Sequence, residues 1–373
     1  MANGTVFLIG AGPGDTGLIT VRGLEILKQA ETVLYDNLAN SRLLDYCRKD
    51  AEFIFVGKEA GKHYVPQDEI IDILIEKAKE GKNVARLKGG DPLIFGRGSE
   101  EAHKLYEEGI TFEIIPGVTA AAGATAYAGV PLTHRNMVTQ CMFVTAHEAP
   151  GKKEQQVHWQ EIAVIKNITL VIYMGAKMLP QIVQKLIKYG MDPNTPAALI
   201  ENGTLPCQKT GKGLLKNIHE VQKEGDFKPP LLTVIGPTAH FIDELNWYER
   251  KPFFGKRIVV TRAFDQAGSL IEMIKEAGGM PIHFPVIRTS VKDPGISFRG
   301  LFEKNNYDWA AFTSKNGVRW FFELLEKENL DARIFGKTKI AAIGPGTAEK
   351  LGEFGIKADF IPVQYTSSVF VED

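Results

Sequence analysis

The segment VFLIGAGPGDTGLIT, Val6 to Thr20, sets a glycine-rich turn between an apolar run and a helical pattern. Such a turn holds a dinucleotide when three glycines follow G-x-G-x-x-G and an acid about twenty residues on takes the ribose. Gly10 and Gly12 satisfy the first two places, but Asp15 stands where the third glycine would fall. Pro13 removes a backbone donor that a pyrophosphate would use. An acid at a helix entry repels phosphate, whereas it serves well there as an amino-terminal cap. Asp36, ending the second apolar run, could imitate the ribose acid or start a turn with Asn37. A tight turn without ligand stays open beside a loop that brings backbone close to an uncharged or cationic ligand, and the latter fits these residues better.

Four more turns share this character. RLKGGDPLIFGRGSEE places Gly89 and Gly90 where a ligand could approach, and Asp91-Pro92 turns the chain away. IPGVTAAAGATAYAGVPLTHR is rich in alanine and glycine, which suits either a close ligand or close helix packing. VIYMGA and LIENGT end two later strands in the same manner. Open α/β sheets bind ligands at the carboxyl ends of their strands, so five such turns suggest one cleft between two lobes.

The elements that must position these turns are legible as alternation. TVFLIG, ETVLYD, AEFIFVG, NVARLKG and FEIIPG are short apolar runs separated by helical patterns, the rhythm of a parallel sheet. In LITVRGLEILKQA, Val21, Leu24 and Leu27 are expected on one buried face. A first α/β domain is expected over residues 1–116. CMFVTAHE, ITLVIYMG, PAALIENGT, KTGKGLL and LLTVIGP follow at closer spacing, so a mixed sheet is expected over 117–245. NWYERKPFFGKR reads as a linker, 246–254, after which the strand–helix rhythm restarts in a further unit, 255–373. The fold class is thus α/β: two domains with a cleft between them, plus a third, partial α/β unit.

Composition narrows the function. With 44% hydrophobic and 24% charged residues and a net charge of −1, the chain has no excess of positive charge for nucleic acid or an anionic membrane. No apolar stretch approaches a membrane span and no leader pattern opens the chain, so a cytoplasmic protein is expected. Cys47, Cys141 and Cys207 have no metal-like spacing and read as reduced, mostly buried thiols. No metal site is expected.

GAGPGD, VLYDNL, VGKEAGKH, RLKGGDPLIFGRG, IPGVTAA, GVPLTHR, YMG and ENGT stand in the order and spacing of the uroporphyrinogen-III C-methyltransferases, a branch of the tetrapyrrole methylases. The resemblance covers about Val6 to Tyr248. It implies transfer of two methyl groups from S-adenosylmethionine to uroporphyrinogen III, giving precorrin-2 for sirohaem and cobalamin, by a homodimer. It implies cofactor contacts at Pro13, Gly89, Gly90, Asp91, Ile94, Thr119, Ala120, Met174 and Gly203. It assigns Asp36 to charge stabilisation and proton acceptance, and Lys58 to proton donation. The substrate carries eight carboxylates, so Lys62, His63, Arg97, His134, Arg135 and His147, in or beside the motif loops, are its expected partners. Glu59, Thr16-Gly17 and Ala146 depart from the common pattern, and Glu59 weakens a substrate contact at that position. The alternatives are a methylase of a later corrin intermediate, a nicotinamide-dependent oxidoreductase, and a binding protein without turnover.

The remaining sequence, from GKRIVVTRAFDQAGSLIEMIKEAGGMPIHFPVI through KIAAIGPGTAEKLGEFGIKADFIP, resembles the first half of uroporphyrinogen-III synthase. By that resemblance Thr313–Gly317 and Gly344–Thr347 would be substrate-side loops. An intact methylase joined to an incomplete, inactive synthase portion is therefore expected, the full-length product being bifunctional.

Overall fold

The amino-terminal apolar runs form one wholly parallel sheet in the computed structural model, which describes residues 3–57, 65–146, 157–263, 266–290, 295–304 and 307–364. Its strands are β1 (Val6–Gly10), β2 (Thr32–Tyr35), β3 (Glu52–Phe55), β4 (Val84–Lys88) and β5 (Phe112–Ile115), in the order β3-β2-β4-β1-β5. Because every pairing is parallel, all the carboxyl ends share one edge. The sheet is covered on both faces, as parallel sheets must be. Helices α2 (Gln67–Lys79) and α3 (Gly98–Glu107) pack over Leu8 and Leu34, and α1 (Val21–Leu27) over Ile9, Val33 and Leu87. Helix α1 buries Gly23, Ile26 and Leu27, but Val21 is 76% exposed, contrary to the face read from the sequence. Thr20 caps the helix, so Val21 begins its first turn, outside the arc that meets the sheet.

The second sheet is mixed. Its strands are β6 (Gln140–Thr145), β7 (Ile168–Tyr173), β8 (Pro196–Glu201), β9 (Lys209–Leu214) and β10 (Leu231–Ile235), ordered β6-β7-β10-β8-β9. Only β6 and β7 run parallel; β10 opposes both β7 and β8, and β9 opposes β8. One face buries α5 (Trp159–Ala163), α6 (Leu179–Lys188) and α7 (Ile218–Glu224). The other lies on α4 (Ala120–Ala128), whose small side chains pack on Val171, Ala198, Ile200 and Val234, and on α8 (Ile242–Leu245). Strand β6 is an edge, which leaves Cys141 exposed; Cys207, in the β8–β9 turn, is exposed too. The expectation of mostly buried thiols is thus corrected: only Cys47 is half-buried, and burial followed by the charge of Asp45 pushes its thiol up to about 11.

Packing divides the chain into one unit of residues 1–258 with 270–282 and another of 259–269 with 283–373. In the first, the segment read as a linker is bonded in place: Lys251 Nζ donates to Glu276 O, Phe253 N–H to Ala277 O, and Gly255 N–H to Pro206 O. These contacts bring in α9 (Gly268–Glu276), which precedes β12 (Met280–His283), the strand paired with β11 (Arg257–Val260). The second unit holds α10 (Phe298–Lys304), β13 (Trp309–Phe312), α11 (Lys315–Lys327), β14 (Lys339–Ala342) and α12 (Pro345–Gly352). Strands β13 and β14 are parallel, and Phe298, Phe312, Phe322, Phe335 and Leu351 form its core. Among the described residues no helix is long and apolar enough to cross a membrane.

Candidate functional site

Three strand ends meet at the carboxyl edge of the parallel sheet. A Cβ on Gly117 would lie 2.2 Å from Gly90 O and 2.6 Å from Gly10 Cα, so the turns after β1, β4 and β5 touch backbone to backbone. Gly12 and Gly90 exchange N–H···O bonds of 3.2 and 2.7 Å. Asp91 fastens the same corner: Oδ1 accepts from Leu93 N–H and Oδ2 from Gly117 N–H. Its two oxygens thus serve the turn, as its sequence context suggested. The turn after β2 joins them, since Asn40 Nδ2 donates to Gly14 O and Leu38 packs on Gly89.

Helix α4 then collects residues from both lobes. Gly90, at φ +69°, occupies the left-handed region, and a Cβ there would enter the space beside Ala120 N (3.6 Å) and Thr119 Cα (3.9 Å). Pro13 packs on Gly123, and Gly203 on Ala124. Tyr173 Oη lies 2.7 Å from Thr119 Oγ1 and accepts from Ala121 N–H at 2.7 Å. Its ring meets Phe95, next to Ile94, at 4.9 Å. Burial raises the Tyr173 phenol, keeping it neutral. Met174 follows Tyr173 at φ +54° and is half-exposed. The structure therefore brings Pro13, Gly90, Thr119, Ala120 and Gly203 around the amino-terminal half of α4, with Ile94 and Met174 adjoining through Phe95 and Tyr173.

The chemistry of this place is uncharged. Backbone and methyl groups dominate it, while Asp15 spends its carboxylate on structure: Oδ1 caps Gly17 N–H and Oδ2 accepts from Tyr127 Oη. A phosphate would meet a carboxylate and a proline here; a molecule held by backbone and van der Waals contact, adenosine with a sulphonium, fits the residues present.

A charged network lies beside it; of its members only Asp36 carries a role expected from the sequence, and Arg86, Lys88 and Glu101 carry none. Asp36 follows β2; its Oδ2 accepts from Arg86 Nη2 at 3.0 Å and its Oδ1 from Leu38 N–H. Arg86 is buried in β4 and also reaches Glu101 Oε1 at 3.4 Å. Glu101, fully buried in α3, accepts on that oxygen from Lys88 Nζ and Gln67 Nε2, both at 2.8 Å. Its Oε2 is buried with no partner among the described residues. Burial, then the charge of Arg86, lowers Lys88, with Glu101 opposing. Two cations and two anions balance, and only Asp36 reaches solvent, its side chain 23% exposed. The available sequence signal was Arg86 and Lys88 at i, i+2: both point to one face of a central strand, where cations need partners.

The expected proton donor, Lys58, and the expected substrate residues divide. Lys58, Lys62, His63 and His147 lie outside the described residues. Arg97, in the β4 turn, is exposed and bonded to Glu100 at 2.6 and 2.9 Å. His134 and Arg135 are not brought to this edge. His134 N–H donates to Val138 O in a turn whose next residue, Thr139, bonds Asn167 before β7. That turn therefore enters the mixed sheet at the end opposite Met174. The His134 ring stacks on Phe241 at 5.3 Å.

Residues 5–219 match the family of tetrapyrrole (corrin/porphyrin) methylases, and residues 268–373 match uroporphyrinogen-III synthase HemD. The chain is 40% identical over 363 residues to the porphyrin biosynthesis protein HemD of Ruminiclostridium josui, covering 97% of this chain and 72% of that protein. It is 38% identical over 333 residues to the uroporphyrinogen-III C-methyltransferase of Bacillus subtilis (strain 168), covering 89% of this chain and 68% of that one. Among solved structures, the uroporphyrin-III C-methyl transferase from Thermus thermophilus complexed with S-adenyl homocysteine gives a TM-score of 0.53 at 33% identity. That likeness covers 64% of this chain and 99% of the other.

Proposed function

Because this chain belongs to the tetrapyrrole (corrin/porphyrin) methylase family, we propose that it transfers two methyl groups from S-adenosylmethionine to ring carbons of uroporphyrinogen III, giving precorrin-2 for sirohaem and cobalamin. The observation that carries this reading is the side-chain-free, uncharged space at the amino end of α4, bordered by Gly90, Thr119 and Ala120. The name of the Bacillus subtilis relative supports the substrate, and the solved neighbour's complex supports the donor. The match at 268–373 supports a fusion of the methylase with a portion that resembles uroporphyrinogen-III synthase.

S-adenosylmethionine, when bound, supplies an electrophilic methyl group on sulphur. Gly90, Thr119, Ala120, Pro13 and Gly203 would hold it, with Met174 beside them. Fixing a ring carbon against that methyl group removes roughly 7–11 kcal/mol of barrier by orientation alone. Methylation leaves the macrocycle cationic and with a proton to lose. Asp36 is the group for that role: it is the solvent-reaching anion of the network, and Arg86 fixes its aim. Asp36→Asn should lower kcat about 100-fold, the lower range for a lost proton acceptor, and leave the Kd for S-adenosylhomocysteine unchanged. A full-speed variant would remove Asp36 from the mechanism.

Arg97, exposed in the β4 turn, is the group in this reading for a substrate carboxylate, which would compete with Glu100 for its guanidinium. Arg97→Ala should raise KM for the tetrapyrrole about tenfold, the loss of a charge-assisted hydrogen bond, without altering donor affinity. Equal weakening of both ligands would assign Arg97 to folding of the β4 turn instead. Calorimetric titration with S-adenosylhomocysteine and then NAD tests the class of the enzyme: the first should bind and the second should not. The reverse result would make the protein a nicotinamide enzyme.

A further inference from the structure

The loop that carries Pro13 is held from behind by two separate routes, and both start in the segment Asn246–Glu249. The polar route begins at Glu249. Its Oε2 accepts from Thr210 Oγ1 at 3.0 Å and its Oε1 from Gln208 Nε2 at 3.1 Å. Gln208, 4% exposed, turns its Oε1 to the Thr204 N–H at 2.9 Å. Thr204 Oγ1 then accepts from Asp15 N–H at 2.9 Å. The aromatic route begins at Trp247 and Tyr248, whose rings lie 5.0 and 4.8 Å from Tyr127. Trp247 Nε1 donates to Ala126 O, and Tyr127 Oη donates to Asp15 Oδ2 at 2.7 Å. One route ends on the backbone of Asp15 and the other on its carboxylate.

Thr204 has a backbone that sequence preference does not explain. It sits at φ +71°, 1% exposed, although a β-branched residue in the left-handed region is an outlier. Such positions persist where the surroundings over-determine them, and here both the N–H and the hydroxyl are tied. The fit is close as well: a Cβ on Gly14 would come within 2.9 Å of Thr204 Oγ1 and of Leu205 Cγ.

We propose that Glu249, Gln208 and Thr204 form a tether, buried at Gln208 and Thr204, that sets the shape of the Pro13–Asp15 loop, so that Glu249 is a remote positioning residue for methyl-donor binding. The proposal rests on the reading of that loop as part of the donor site. Segment 246–249 leads into the region that resembles the synthase, so any displacement of the segment changes donor affinity by way of Asp15.

Calorimetry on the full chain with S-adenosylhomocysteine tests this. Thr204→Val keeps the shape and the β-branched backbone but removes the acceptor, leaving the half-buried Asp15 N–H without its partner. It should weaken binding about tenfold or more, the consequence of one orphaned donor. Gln208→Leu and Glu249→Leu should weaken it in the same direction, while Thr204→Ser, which keeps the hydroxyl, should restore wild-type affinity. Val183→Ala, a cavity in α6 apart from the loop, supplies a control that loses stability without losing affinity. Wild-type affinity in Thr204→Val, Gln208→Leu and Glu249→Leu overturns the tether, as does an equal loss in Val183→Ala. If the wild-type chain itself fails to bind, the donor-site reading falls, and the tether falls with it.

Discussion

Glu101→Leu is expected to destabilise the first unit by about 3–5 kcal/mol, because it strands Arg86 and Lys88 as buried cations without their shared anion. In a unit of this size that loss lowers Tm by roughly 6–20 °C. The sign of a second experiment separates charge from shape. Replacing Arg86, Lys88 and Glu101 together by Met, Met and Leu should recover much of the stability, since an apolar set of similar volume carries no desolvation cost. It should not recover turnover, because Asp36 would have lost the guanidinium that aims it. An unchanged Tm in Glu101→Leu would mean that water reaches this network and that Asp36 is not held by it.

Gly117→Ala should do more damage than its single methyl group suggests. The added Cβ would fall 2.2 Å from Gly90 O, 2.6 Å from Gly10 Cα and 2.8 Å from Gly10 C, all backbone atoms with no rotamer to yield. The turns after β1, β4 and β5 must part, at a cost of about 3 kcal/mol or more by analogy with severe overpacking. Since Gly90 borders the proposed donor site, binding of S-adenosylhomocysteine should drop at least tenfold, roughly the effect of 1.4 kcal/mol. Gly109→Ala is the matched control. Its φ of +66° imposes backbone strain of about 1–2 kcal/mol, but nothing lies within 4 Å of the added atom. That variant should lose some stability and keep its affinity. Equal binding losses at Gly109 and Gly117 would show that the effect is global softening and not separation of the three turns.

What the sequence disclosed and what it withheld follow from how far each determinant acts. The strands and glycine turns were legible because alternation and residue type are local: TVFLIG and NVARLKG announce β1 and β4 without reference to the rest of the chain. The network of Asp36, Arg86, Lys88 and Glu101 was not legible as a unit. It exists because β2 and β4 are neighbours in the order β3-β2-β4-β1-β5, and because α3 lays Glu101 over that pair. Thr204 was hidden for the same reason on one side: Gln208 lies in its own turn, but Asp15 comes from the turn after β1. His134 lies in a motif that pointed to substrate, and its stacking partner, Phe241, is remote in sequence and was not legible. Val21 was misplaced by a shift within one helical turn, which periodicity alone does not resolve.

The proposed reaction passes two methyl groups from a sulphonium donor to uroporphyrinogen III. Incubating the protein with uroporphyrinogen III and isotope-labelled S-adenosylmethionine, then weighing the macrocycle by mass spectrometry, measures that directly. The expected product carries two labelled methyl groups, accumulates with two equivalents of S-adenosylhomocysteine, and forms about 100-fold more slowly in Asp36→Asn. An unmethylated macrocycle, with label appearing only on a later corrin intermediate supplied in its place, would contradict it.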